Sequence, residues 1–172
     1  MADHTVNTLG AAMKALTDVV AGAVAEDDPL AKEQLALVVA YLDFVRQRLD
    51  LRHARARFEL RNAVDLSVVV SAITDPGDET GVLGQSVERG ERSLADPGAL
   101  DKELDDRRCA VEAALRETIR AMAHGDPDVR RRVERAVLDA SEPRVKMERA
   151  WYLPLGFDQR PQELPPLVEL LG

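Results

Sequence analysis

Four Asp-Pro dipeptides divide this sequence into segments that have the apolar periodicity of helices. They occur at Asp28-Pro29, Asp75-Pro76, Asp96-Pro97 and Asp126-Pro127. Asp-Pro is typical of a helix start, because Asp accepts hydrogen bonds from the unpaired N–H groups of the first turn and Pro is tolerated at the first helical position. We therefore predict that the dipeptides at 28, 96 and 126 open helices, and that the one at 75 ends a helix.

The first segment has the periodicity of one helix from about Thr5 to Ala25. Its apolar residues recur every three or four positions, which places them along one face. The opposite face carries three small residues, Ala11, Ala15 and Gly22. Small residues let a second helix approach closely, so we expect this helix to be covered on two sides. The second side could be covered either by another helix of the same chain or by a second subunit.

The second segment is the longest stretch of the chain without Gly or Pro. Its helical pattern begins after Asp28 and can continue to about Thr74, whereas the mean helix has roughly 12 residues. A break near Leu51–Ala54 is the alternative. An unbroken helix over this stretch would be longer than the helices beside it. We therefore expect either two shorter helices or a second subunit to cover it.

The remaining segments are predicted to form a loop and two further helices. Residues 75–96 contain four glycines and six acidic residues, which favours a long loop with at most a helical turn around Gln85–Ser93. A third helix then ends at Gly125, where a left-handed glycine is typical of a helix C-terminus. A fourth helix follows, and we expect it to bend or restart at Pro143 and to end near Tyr152.

These segments predict an all-α fold, an up-and-down bundle of four to five helices with a proline-rich C-terminal extension. The bundle is assigned to residues 1–152 and the extension to residues 153–172. Three of the six aromatic residues stand at the junction: Trp151, Tyr152 and Phe157. Soluble monomers rarely expose such an apolar cluster, so the tail either folds back on its own bundle or docks onto a second subunit or another protein.

Arginines are concentrated in the second segment. Guanidinium groups bind the paired oxygens of phosphates and carboxylates, so this cluster could bind an anionic small molecule such as an acyl-CoA, a nucleotide or a carboxylate. We assign such a site to Arg52 and His53, together with Arg108 from the third helix. The alternative is a surface of ion pairs, since several arginines have an acid one helical turn away. The cluster comprises Arg46, Arg48, Arg52, His53, Arg55, Arg57 and Arg61.

The sequence contains none of the common nucleophile, Walker or His-Glu-x-x-His motifs. Asp50 and His53 form one Asp-x-x-His pair, but the second such motif that a di-metal bundle requires is missing. No metal and no cofactor is therefore predicted, and the balance favours a protein that is not an enzyme. The single cysteine, Cys109, has no partner for a disulfide within the chain.

The net charge of −8 argues against binding to nucleic acid or to an anionic membrane. The chain has neither an apolar run of membrane-spanning length nor a basic leader at its N-terminus, so a cytoplasmic location is expected. A composition with four lysines and many arginines and alanines is typical of a GC-rich bacterial genome.

The prediction for function is a non-catalytic interaction or assembly protein that forms a homodimer through helix packing. The C-terminal tail is a possible second contact for a protein partner. Binding of an anionic small molecule by the bundle arginines is the first alternative. A transcriptional regulator, with the two helices joined at Gly125 as a helix-turn-helix, is the second.

Overall fold

The computed structural model describes residues 4–74, 81–122 and 125–172. The chain is 85% helical, and no strand occurs in these ranges, which confirms the predicted all-α class. None of the helices in this part of the chain has the length and apolarity needed to span a membrane. Contacts divide the chain into two compact units. The first unit comprises Met1–Leu51 with Trp151–Pro161, and the second comprises Arg52–Ala150 with Gln162–Gly172.

The first unit begins with a helical segment whose hydrogen-bonding pattern changes near its middle. Helix α1 spans Thr5–Ala15, one π-helical turn follows at Leu16–Val20, and helix α2 spans Ala21–Ala23. The segment ends where Val24 takes an extended conformation. The prediction of one helical stretch from Thr5 to about Ala25 is therefore confirmed within two residues.

Helix α3 spans Pro29–Arg48 and starts at the first Asp-Pro dipeptide. The Asp28 carboxylate accepts a hydrogen bond from the Ala31 N–H at 2.9 Å, as the capping argument predicts. A 3-10 turn at Leu49–Leu51 separates α3 from helix α4, which spans Arg52–Thr74 in the second unit. The long second helix is therefore interrupted, close to the alternative break point.

The second unit contains α4 and four further helices. Helix α5 spans Val82–Ala95, so the prediction of a long loop over 75–96 is wrong for this part. The helix forms because it buries one face through Leu83, Gly90 and Ser93, and this packing outweighs the low helix propensity of its two glycines. The other helices are α6 at Asp101–Ala121, α7 at Pro127–Tyr152 and α8 at Leu167–Leu171. The last two residues of α7 belong to the first unit.

The core of the second unit lies between α4, α5 and α6. Leu60, Leu104 and Val111 are completely buried in one cluster. Helix α5 packs closely on α4 at Gly90, where a Cβ atom would lie 2.8 Å from Cγ2 of Val64. Such a contact is shorter than two carbon atoms tolerate, so a larger residue at position 90 would force its neighbours to shift.

The aspartates of the Asp-Pro dipeptides play different roles. Asp96 ends α5, and its carboxylate accepts the Gly98 N–H at 2.8 Å in a local turn. Helix α6 begins only after a further turn of chain, so the predicted helix start at Asp96 is wrong. Asp126 does precede a helix, and it accepts the Asp128 N–H at 2.8 Å. Asp75-Pro76 lies outside the described residues.

Two further predictions, a left-handed glycine after α6 and a helix restart at Pro143, are wrong. Gly125 does not take the left-handed conformation. Its N–H instead donates to the Met122 carbonyl at 2.9 Å, which closes a turn after α6. Pro143 lies inside α7, which continues to Tyr152, so the helix does not restart at this proline.

The proline-rich tail consists mainly of short turns. Two 3-10 turns occur at Leu153–Leu155 and Pro161–Glu163. Gly156 has a φ of 77°, the left-handed conformation that only glycine adopts without strain. The tail ends in α8, the apolar turn that the sequence predicts, and Leu171 of this helix is buried.

Candidate functional site

Arg108 lies at the centre of an ion-pair network in the second unit. Its guanidinium contacts two carboxylates of its own helix, Asp105 at 2.6 Å and Glu112 at 3.0 Å. It also lies 3.6 Å from the Glu59 carboxylate of α4. The Arg108 side chain is only 18% exposed, so these carboxylates take the place of much of the water that it would otherwise contact.

The network continues across α4 and α7. Arg55 contacts Glu59 at 2.7 Å on its own helix and Glu148 of α7 at 2.9 Å. Arg144 of α7 contacts Glu112 of α6 at 3.3 Å. Arginines and glutamates of three helices therefore alternate, and each guanidinium has acids of the same chain beside it. This arrangement is that of a structural crosslink between helices.

The protonation state of Arg108 follows from these contacts. Burial by itself lowers the pKa of Arg108, but hydrogen bonds to Asp105 and Glu112 outweigh burial and hold the pKa above its usual range. Arg108 is therefore always charged and already paired. A ligand carboxylate would have to displace one of these acids to reach it.

The other two residues of the predicted anion site have different surroundings. Nδ1 of His53 lies 2.9 Å from the Asp101 carboxylate at the start of α6. Arg52 is exposed and has no hydrogen-bond or ion-pair partner among the described residues. None of the cavities described below is lined by Arg52, His53 or Arg108. The assignment of a ligand site to these three residues stays a prediction without a shared cavity to support it.

In the first unit, aromatic rings surround Arg48 at the end of α3. Its guanidinium lies 5.8 Å from the centre of the Phe44 ring and 5.5 Å from that of Trp151, in a cation–π arrangement. Its Nε–H donates to the Trp151 carbonyl at 2.9 Å, and Tyr152 stacks on Phe44 at 5.6 Å. Trp151 is 5% exposed and Phe157 is 76% exposed. The start of the tail therefore packs on its own chain, whereas Phe157 is open to solvent.

A row of exposed apolar side chains runs along α3. With 3.6 residues per turn, these side chains fall within about 100° of the helix surface. Their exposed fractions range from 38% to 64%, and no residue of Thr5–Ala23 or of α3 is buried. The exposed row of α3 consists of Leu30, Leu37, Val38, Tyr41 and Val45.

The arc of α3 beside the exposed row is mostly half-buried and apolar, with Arg46 as its one charged residue. It contains Leu35, Val39 and Leu42, and α1 is a packing neighbour of α3. The two arcs together cover about 200° of the helix. Helix α3 therefore carries more apolar surface than a single neighbouring helix covers.

The small residues predicted as an interface on the first helical segment are also open. Ala11, Ala15 and Gly22 are all exposed. No atom lies within 4 Å of the position that a Cβ would take at Gly22. The second side of this segment is therefore not covered by internal packing, which was one of the two alternatives.

The second unit has a groove of about 920 Å³ between α4 and α7. Its floor is apolar and includes Leu66, Val69 and Ile73. Three arginines and two aspartates of α7 and one aspartate of α4 also line the groove, so their charges balance. Among the described residues, no group of three or more side chains could hold a metal ion.

Sequence reasoning did not single out the exposed row of α3. The sequence does show apolar residues on two adjacent arcs of α3. Which arc faces the rest of the chain and which faces solvent depends on the packing, which the sequence does not show. No protein-family model, curated protein or solved structure matches this chain. The functional argument therefore depends on the geometry of the chain itself.

Proposed function

We propose that this protein is a non-catalytic assembly protein that forms a homodimer through its first unit. The observation that carries the proposal is the exposed row of α3 in a part of the chain where Thr5–Ala23 and α3 bury no residue. Within the described part of the chain, α3 packs against α1, the π-helical turn Leu16–Val20 and the Leu153–Leu155 turn. Apolar residues spread over about 200° of α3, interrupted by Gln34 in the exposed row and by Arg46 in the neighbouring arc. A helix with so broad an apolar face needs a further neighbour.

A second copy of the chain suits this surface because of its charge pattern. The chain enters α3 through three acids, Glu26, Asp27 and Asp28, whereas Arg46 and Arg48 lie in its last turn. In an antiparallel pair of α3 helices, the acidic start of one copy faces the basic end of the other. The two helix dipoles are then also antiparallel, which adds to this attraction. Twofold symmetry makes the same patch complementary to itself.

The size of the surface fits a modest dimer. Helix α3 has 20 residues and is therefore about 30 Å long. With α1 beside it, the two-helix face is about 18 Å wide, or roughly 500 Å² in projection. A standard interface buries about 800 Å² of accessible surface per partner, and interdigitating side chains bury more than the projected area.

The experiment is light scattering coupled to size exclusion, on the full chain at micromolar concentration. We expect the wild type to elute with twice the chain mass of 18.9 kDa. The double substitution Val38→Glu with Tyr41→Glu places two charges in the exposed row, where pairing would bury them. This variant should have the mass of a monomer and unchanged helix content by circular dichroism.

Val68→Glu is the matched control, because Val68 lies on α4 of the second unit and is 46% exposed, the same fraction as Val38. It should leave the dimer intact. A monomeric wild type overturns the proposal. A dimer that the Val38→Glu, Tyr41→Glu variant retains would show that the exposed row of α3 is not the interface.

The remaining parts of the proposal concern origin and location. We infer a bacterial cytoplasmic protein from the arginine-rich, lysine-poor composition and the single cysteine, which suits a reducing compartment. Fractionation of the source cells, with immunodetection of the chain, tests the location.

A further inference from the structure

Three arginines converge on a pocket of about 240 Å³ where α5 ends and α6 begins, in the second unit. Arg89 and Arg92 come from the last turns of α5, and Arg107 comes from the second turn of α6. Arg107 is half-buried. Neither Arg89 nor Arg107 has an ion-pair or hydrogen-bond partner among the described residues, in contrast to the arginines of the network around Arg108. Arg92 lies 3.6 Å from the Glu88 carboxylate of its own helix, and both side chains are largely exposed.

Two carboxylates also line the pocket, and both have protein donors. Glu103 accepts a hydrogen bond from the Ser93 hydroxyl at 3.4 Å. The Asp96 carboxylate accepts the Gly98 N–H at 2.8 Å. The side chains that line the pocket therefore carry one net positive charge, and the two guanidiniums without partners remain available to a ligand.

The end of α5 would by itself repel an anion, since the last carbonyl groups of a helix carry partial negative charge. Arg57 of α4 offsets this effect. It donates to the Leu94 carbonyl at 2.5 Å and to the Asp96 carbonyl at 3.5 Å. The positive charge of Arg57 therefore lies against two of these carbonyl groups next to the pocket.

We propose that this pocket binds the phosphate group of a small ligand through Arg89, Arg92 and Arg107. A guanidinium group binds two oxygens of a phosphate at once. A phosphate has enough oxygens to contact three arginines from different directions, whereas a chloride or a single carboxylate does not. The volume is below the usual range of about 300–1,000 Å³ for small-molecule sites, so the ligand is inorganic phosphate or the phosphate end of a monoester. This site does not depend on the proposed dimer.

The test is isothermal titration of the full chain with inorganic phosphate and with phenyl phosphate at low ionic strength. We expect saturable binding of at least one of them at one site per chain, and the tighter one identifies free phosphate or a monoester as the ligand type. Arg107→Ala should weaken binding at least about tenfold, the loss expected for one charged hydrogen bond. Arg89→Ala should weaken it similarly.

Arg116→Ala is the matched control, since Arg116 is an exposed arginine of α6 outside the pocket. The Arg116→Ala variant should bind phosphate and phenyl phosphate with the affinity of the wild type. Absence of saturable binding for both phosphates overturns the proposal, and so does equal binding of chloride. Unchanged affinity in both Arg107→Ala and Arg89→Ala also overturns it. Arg89 is exposed, so this second variant keeps the test valid if Arg107→Ala does not fold.

Discussion

The two units of this chain bury very different amounts of apolar surface. In the second unit, Leu60, Leu104 and Val111 are 0% exposed. In the first unit, no residue of Thr5–Ala23 or of α3 is buried, although these helices are richer in Leu and Val than α4, α5 and α6. The difference is one of neighbours. Each of α4, α5 and α6 packs against the other two. Among the described residues, α3 packs mainly on the first helical segment, through α1 and the turn Leu16–Val20, and on a short turn of the tail.

This comparison shows that an amphipathic pattern does not determine how much of a helix is buried. Burial needs partners on enough sides, and about 25 cal/mol of stabilisation follows for each Å² of apolar surface removed from water. The second unit obtains this stabilisation within one chain. We propose that the first unit obtains part of it from a second chain.

The largest effect is expected from truncation of the core of the second unit. Leu60→Ala should reduce the free energy of unfolding by about 3 kcal/mol, because it leaves a cavity between three closely packed helices. The equivalent change in the first unit, Leu42→Ala, removes a half-buried side chain and should cost about 1 kcal/mol. Urea denaturation followed by circular dichroism measures both. Equal costs would contradict the comparison.

The next effect tests how closely the helices pack. Gly90→Ala should destabilise the chain by about 1–2 kcal/mol, because the new Cβ meets the stiff Val64 side chain at 2.8 Å. Gly10→Ala on α1 should instead stabilise it by up to about 1 kcal/mol, since nothing lies within 4 Å of that Cβ position and alanine favours helix. Thermal unfolding of both variants provides the measurement. A stabilised Gly90→Ala variant would show that α5 can move away from α4.

The ion pairs of the two units should also differ. Arg108→Met removes a side chain that is 18% exposed and contacts Asp105 and Glu112, and should cost about 1–2 kcal/mol. Arg46→Met on α3 breaks an ion pair with Asp43 whose side chains are 40% and 34% exposed, and should cost less than about 0.5 kcal/mol. A double-mutant cycle of Arg108→Met with Glu112→Gln isolates the buried pair. A coupling near zero would mean that the Arg108–Glu112 pair adds no stability.

The smallest effect concerns the pH dependence of the first unit. The hydrogen bond from Arg46 holds the pKa of Asp43 below its usual range, although partial burial opposes it. Because the folded-state pKa is the lower one, the ionised carboxylate stabilises the fold above the unfolded-state pKa, and this contribution disappears as the pH falls through the folded-state pKa. A carboxyl NMR titration should show the low pKa, and Arg46→Met should return it towards the usual value. An identical titration curve in this variant would rule out Arg46 as the cause.

The sequence predicted local structure well where the signal was local. Asp28-Pro29 starts α3 through a hydrogen bond three residues away, and such a contact depends only on neighbouring residues. Asp96-Pro97 has the same two residues but ends a helix. The difference arises because α5 packs on α4 and α6, which makes a helix of a segment that glycines would otherwise leave as a loop.

The candidate sites also combine contacts that the sequence predicts with contacts that only the structure shows. An i, i+4 ion pair such as Arg55 with Glu59 is visible in the sequence and is present in the structure. The pairing of Arg55 with Glu148, 93 residues away, is not visible there. Neither is the convergence of Arg89 and Arg107 on one pocket, since their distance depends on how α5 meets α6.

The sequence by itself therefore determined that this chain is all-α and where several of its helices begin, because capping and periodicity act over one or two turns of chain. The tertiary structure alone decided which apolar faces are covered and which arginines have acids of other helices beside them. Both depend on helices that are far apart in the chain, and the energy of their packing exceeds the local preference of any single residue. The same physics explains why the exposed row of α3 was apparent only from the structure.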